Sequence, residues 1–99
     1  MVRHIILWKL NDTLNAEEAA AAKAEVKARL EALNGIIPGL LSLSVVTEGL
    51  ASSNADVMLD STFSDETALA GYQVHPAHQA AAGFIKSVVG QRLCLDFEA

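Results

Sequence analysis

The feature that most constrains this chain is its first apolar run, RHIILWKL at residues 3–10. Successive side chains of a strand point to opposite faces. His4, Ile6, Trp8 and Leu10 therefore share one side, and Ile5, Leu7 and Lys9 the other. Both sides are largely apolar, so both need cover. A chain of 99 residues has room for a single core. Its own helices can cover one face of a sheet, and the other face must meet water or a second chain. Composition sharpens the point. Hydrophobic residues make up 52% and charged residues 19%, a heavy apolar load for a domain with so much surface per unit volume. Disorder is excluded on the same ground, and an oligomer is expected.

Residues 15–34 carry Ala22, Val26, Leu30 and Leu33 at helical spacing, with Lys23, Glu25, Lys27, Arg29 and Glu31 on the remaining surface. Asn15 and Glu18 have the spacing of a capping box, and Gly35 followed by Pro38 marks the stop. Residues 40–48 and 55–63 alternate as strands on either side of the turn-rich loop 49–54. Ser64 is the expected N-cap of a helix over 65–74, which His75-Pro76 interrupts. Pro76 opens a further helical piece to residue 89, with Ala80, Phe84 and Val88 as its apolar stripe. Gly90 is expected to end it before a last strand over 92–97.

The order β-α-β-β-α-β predicts an α+β, ferredoxin-like single domain over residues 1–99. Right-handed crossovers place the helices on one face of a four-stranded antiparallel sheet. The bare face, with Ile5 and Leu7, is expected to pack on the same face of a second copy, giving a homodimer.

Charge narrows the partners. Twelve acidic residues outnumber seven basic ones, for a net charge of -5, and no Lys/Arg cluster occurs. Nucleic acid and anionic membranes both require a basic footprint, so neither is an expected partner. No stretch reaches the ~20 apolar residues of a membrane span. Lys9 and Asn11-Asp12 break the N-terminal run and no small-residue cleavage site follows, which reads against a signal peptide. A cytoplasmic protein is the expectation. The lone Cys94 allows no internal disulfide. A phosphate-binding glycine loop, a dinucleotide fingerprint and a nucleophilic triad are all missing, so no cofactor is expected.

Several stretches occur in a telling order: RHIILWKL, then IPGL, then DSTFSDETALAGYQVHPAHQ, running into LCLDFE. Together they resemble the stress-responsive A/B barrel (Dabb) family over essentially the whole chain. The segment Tyr-x-x-His-Pro-x-His, from Tyr72 to His78, is the most specific part. The resemblance implies a dimeric α/β barrel, in which two ferredoxin-like subunits pack through their sheets. The family includes olivetolic acid cyclase, a plant enzyme that closes a linear polyketide by an aldol reaction and keeps the carboxylate. Fold carries over from such a likeness far better than activity does. Related dimeric barrels include cofactor-free monooxygenases, but no residue here argues for oxygen chemistry.

The resemblance places a His–Tyr pair on His78 and Tyr72, with His78 as base and Tyr72 holding it or the substrate. An imidazole with an unperturbed pKa of ~6.5 suits proton abstraction. The alternative is a buried hydrogen-bonded pair that pins the interrupted helix to the sheet. His4 and Asp96 also match a His and an Asp of the cyclase. They fall on the first and last strands, where antiparallel pairing can set them opposite each other. A carboxylate there would orient the imidazole and favour its charged form; a purely structural bridge is the alternative.

Val57 and Leu30 depart from the cyclase, which has a histidine and a tyrosine there. The loss of hydrogen-bond capacity leaves an apolar wall, so the same aldol closure is not expected and a smaller or more apolar ligand is. Trp8, on the face of His4, is expected to line a cavity or to fill the core. Cys94, between Leu93 and Leu95, is expected to be an inert buried thiol. His75 is expected to face solvent, and His75-x-x-His78 with its intervening proline is not a metal pattern.

Two classes of function remain open. One is a ligand-binding protein or enzyme with His4, Trp8, Tyr72, His78 and Asp96 around a cavity. Its chemistry is proton transfer on a carbonyl compound, as in a cyclase, isomerase or decarboxylase. The other is a non-catalytic dimer. A cavity of at least ~300 Å³ on which Tyr72 and His78 converge would separate them.

Overall fold

In the computed structural model, which describes residues 1–99, seven elements follow one another. They are β1 (Val2–Leu10), α1 (Ala16–Glu31), β2 (Leu40–Val46), β3 (Val57–Phe63), α2 (Glu66–Val74), α3 (Pro76–Val88) and β4 (Val89–Glu98). The strands form one antiparallel sheet of order β2-β3-β1-β4. This is the ferredoxin-like arrangement that the element order predicts.

The alternation of β1 is realised residue by residue. Val2, His4, Ile6 and Trp8 are buried beneath the helices, while Leu7 and Lys9 are exposed on the opposite face. β3 lays Val57, Leu59, Ser61 and Phe63 beside them. Ser61 can be buried there because its hydroxyl donates to the His4 carbonyl at 2.7 Å. Onto this surface α1 seats Ala22, Val26 and Leu30. Its start is the expected capping box: Glu18 N donates to Asn15 Oδ1 at 2.8 Å, and Asn15 N donates to Glu18 Oε1 at 2.9 Å.

Four local expectations shift. First, α1 stops at Glu31 and not at Asn34, because the Asn34 side chain donates to the carbonyls of Glu31 and Leu43 and ties the turn to β2. Second, the N-cap of α2 is Asp65, whose Oδ1 accepts from Ala68 N at 2.8 Å. Ser64 instead donates its N–H to the Gly39 carbonyl. Third, α3 buries Ala81 and Ile85, with Ala80 exposed. Phe84 is half-buried, and the Arg29 guanidinium lies 4.5 Å from its ring centroid. Fourth, Gly90 does not end α3, which runs directly into β4 at Val89. Asn11 N donates to Val88 O at 2.8 Å across that junction, and a register shift between Lys9 and Leu10 absorbs the turn.

Gly39 has a positive φ of 80°, and a Cβ there would come within 2.4 Å of Ala68 Cβ on α2. Gly35 has a φ of 81° but open space around it. Gly39→Ala is expected to cost about 2–3 kcal/mol in urea unfolding, and Gly35→Ala about 1 kcal/mol. Equal losses would show that backbone strain alone matters at both positions.

Only 19 of the 99 residues are buried, so much of the apolar content lies on the surface. It concentrates on the sheet face away from the helices. Leu93 (71% exposed), Leu95 (64%) and Phe97 stand there on β4, beside Leu7 and Ile5 of β1. Arg3 pairs with Asp60 on the same face, and the Arg3 Nε is left without a partner. No helix is long and apolar enough to cross a membrane.

Candidate functional site

The helices do not extend over β4, and between them and the inner sheet face lies a cavity of about 870 Å³. Every layer contributes to its walls: His4, Ile6 and Trp8 from β1, Leu30 from α1, Leu59 from β3, and Tyr72 from α2. His78 and Ile85 from α3, with Arg92 and Cys94 from β4, complete the far side.

Tyr72 sits on the buried side of α2, 1% exposed. Its hydroxyl has no hydrogen-bond partner. Burial holds its pKa well above the usual 10, against the nearby Arg92 charge, which pulls it down. The phenol is therefore a neutral donor with nothing to donate to. Such a group costs stability, so Tyr72→Phe is expected to raise unfolding stability by about 1 kcal/mol. A loss of stability on chemical denaturation would mean the hydroxyl is satisfied in solution.

The His75-Pro76 break lets α3 restart beside α2. His78, in its first turn, comes to lie against Tyr72, with ring centroids 4.1 Å apart and planes at 41°. The two rings stack and do not hydrogen-bond. The Nδ1 of His78 is instead 3.3 Å from the Gln73 carbonyl. A carbonyl only accepts, so Nδ1 carries the proton and Nε2 keeps its lone pair. Burial pushes the His78 pKa below the usual 6.5, outweighing the Gln73 hydrogen bond, and the charges of His4, Arg92 and His75 add to the lowering.

His4 and Asp96 are direct cross-strand partners. His4 Nδ1 is hydrogen-bonded to Asp96 Oδ1, with the ring fully buried and the carboxylate half-exposed. The ring also stands edge-on to Tyr72 at 6.0 Å, joining the His–Asp pair to the Tyr72–His78 stack. Of the five expected residues, His4, Trp8, Tyr72 and His78 line the cavity, and Asp96 supports His4 from outside it. Leu30 forms part of the apolar wall, whereas Val57 is buried elsewhere in the core.

Cys94 corrects an expectation. It is exposed, because β4 is an edge strand that no helix covers. Partial desolvation of the sulfur, then the Asp96 charge, hold its thiol above the usual 9, so it stays protonated at neutral pH. His4, Cys94 and Asp96 offer three ligand atoms within 4.8 Å of one another. Arg92 acts on the same thiol, and its charge opposes a cation there. His75 is half-buried and accepts from Ala77 N at 3.1 Å to cap α3, so it faces the helix end and not a shared ligand with His78.

Sequence reasoning missed Arg92 and Lys86, which also line the cavity. The signal for Arg92 was its parity with Cys94 and Asp96 along β4. Lys86 carried no such signal.

Residues 2–99 match the family described as the stress responsive A/B barrel domain. No curated protein gives a match. Among solved structures, a dimeric protein of unknown function with a ferredoxin-like fold from Bacteroides fragilis is 28% identical. It superposes with a TM-score of 0.92 over 99% of this chain and 95% of that one. A dimeric ferredoxin-like protein of unknown function from Thermobifida fusca is 29% identical, with a TM-score of 0.84 over 99% and 90%. An antibiotic biosynthesis monooxygenase, 11% identical with a TM-score of 0.77 over 100% and 98%, shares the fold alone. On its sequence and its fold alike, the chain belongs to the stress-responsive A/B barrel family.

Proposed function

We propose that two copies of the chain pack through their outer sheet faces, and that each cavity binds a small carbonyl compound on which His78 moves a proton. One observation carries the second part. A neutral imidazole and a partnerless phenol lie side by side on the wall of a cavity of about 870 Å³. That is the pairing a base and an electrophilic donor require. The dimer is supported by the exposed apolar face of β1 and β4, and by the dimeric proteins to which the chain is similar.

In this reading the ligand carbonyl oxygen accepts from the Tyr72 hydroxyl. His78 Nε2 takes a proton from the adjacent carbon, the C–H electron pair moves into the carbonyl, and an enolate forms. Tyr72 stabilises the developing oxyanion without losing its own proton, because its pKa is raised. Return of the proton to the same or another atom gives exchange or isomerisation. Attack of the enolate carbon on a second carbonyl gives cyclisation. His4, held by Asp96, fixes the edge of the aromatic cluster against which the ligand rests.

The test is deuterium incorporation into an aryl methyl ketone in D2O, followed by proton NMR. The protein is expected to accelerate exchange at the methyl carbon over buffer by about 10²-fold or more. Exchange at the buffer rate, with the ketone bound, would favour a binding protein without catalysis. Exchange at the buffer rate with no binding would leave the non-catalytic dimer.

A further inference from the structure

The charge inside this cavity is opposite in sign to the charge of the chain. Acidic residues outnumber basic ones twelve to seven, yet no Asp or Glu lines the cavity, and Arg92 and Lys86 both do. Neither has a carboxylate within 4.0 Å. Arg3, Lys27 and Arg29, by contrast, are each in an ion pair. Asp96, which touches Cys94 of this wall, is already engaged by His4. A position in the last turn of α3 suits any cation, through the helix dipole, and accounts for Lys86 on its own. It does not account for Arg92, which stands on the inner face of β4 directly across from Trp8.

Resting on the reading of the cavity as a ligand site, we propose that its ligand is an amphipathic carboxylate. Its apolar body lies against Ile6, Trp8 and Leu59, and Arg92 and Lys86 hold its head. A guanidinium fork matches a carboxylate in a bidentate fashion, and Lys86 adds a second, flexible point charge. The unpartnered Tyr72 hydroxyl gives the ligand a further polar contact deeper in the cavity. The two cations also separate the ligand's ends: the anion sits toward β4 and the end of α3, which leaves a carbonyl along the body free to reach Tyr72 and His78.

Trp8 is the only tryptophan and lines the cavity, so its fluorescence reports occupancy of this site; it also borders a smaller pocket of about 350 Å³, which Lys86 does not line. The test titrates octanoate and its neutral isostere octanamide at constant pH and ionic strength, into the unaltered protein and into the double variant R92Q/K86Q. Both substituted residues are exposed, and the fold is expected to tolerate them. The unaltered protein is expected to bind octanoate at least about ten-fold more tightly than octanamide. The double variant is expected to lose that preference, its affinity for octanoate falling to that for octanamide. Equal binding of the two probes by the unaltered protein overturns the anionic ligand and leaves the cavity reading standing. A preference that persists in the double variant overturns the assignment of the head to Arg92 and Lys86. Failure of both probes to perturb Trp8 at millimolar concentration overturns this inference together with the ligand-site reading beneath it.

Discussion

Leu7→Asp is expected to make the chain sediment as a single 10.5 kDa subunit at micromolar concentration, where the unaltered chain sediments at twice that mass. Leu7 lies near the middle of β1 on the bare sheet face, directly across from Leu93 on β4. Two-fold packing brings the same patch of each copy together, so the substitution enters the interface twice. Each new carboxylate would be buried against leucine side chains, with Arg3 on that face already bound to Asp60 and only Lys9, toward the end of the strand, left to offset it. At about 3 kcal/mol per copy, the dissociation constant rises by roughly four orders of magnitude. Leu50→Asp, in the loop after β2 and 81% exposed, is the control and should leave the mass unchanged. A Leu7→Asp chain that still sediments as a dimer would mean that the copies meet through some other surface.

His78→Ala is expected to slow ketone exchange by about 10²- to 10⁴-fold, which is the contribution of a positioned base. The pH profile carries the finer test. The pKa of His78 is lowered in the fold, chiefly by burial, so the ring is neutral and competent as a base throughout neutral pH. Exchange should rise with pH through a value below 6.5 and then level off, well before Tyr72 loses its proton. Stability follows the same ring. Below 6.5 the unfolded chain takes up a proton at this residue before the folded one does. The stability due to a neutral His78 is therefore complete above 6.5 and declines as pH falls toward the folded-state value. His78→Ala should remove that part of the acid slope. A variant with undiminished exchange would remove His78 from the chemistry, whatever its effect on stability.

The parts of this fold that the sequence determined by itself are those governed by neighbours in the chain. The capping box of Asn15 and Glu18 spans four residues and needs nothing else. The two-sided apolar alternation of β1 follows from strand geometry, and so does the presence of His4 and Trp8 on one face. Even the His4–Asp96 pairing was legible, because an antiparallel first and last strand leave few registers. Tertiary structure decided what local rules leave open. Ser64 and Asp65 are both competent caps, and the choice fell to Asp65 once the N–H of Ser64 was drawn to the Gly39 carbonyl. Cys94 has a buried strand's pattern but an edge strand's exposure, because helix coverage stops short of β4. Tyr72 and His78 were joined in sequence by a motif, yet stack without a hydrogen bond, since the Gln73 carbonyl takes the imidazole N–H. The cavity and its two unpaired cations depend on how far α3 stands from the sheet. That distance is set by side-chain volumes from six different elements, and no window of the sequence contains them together.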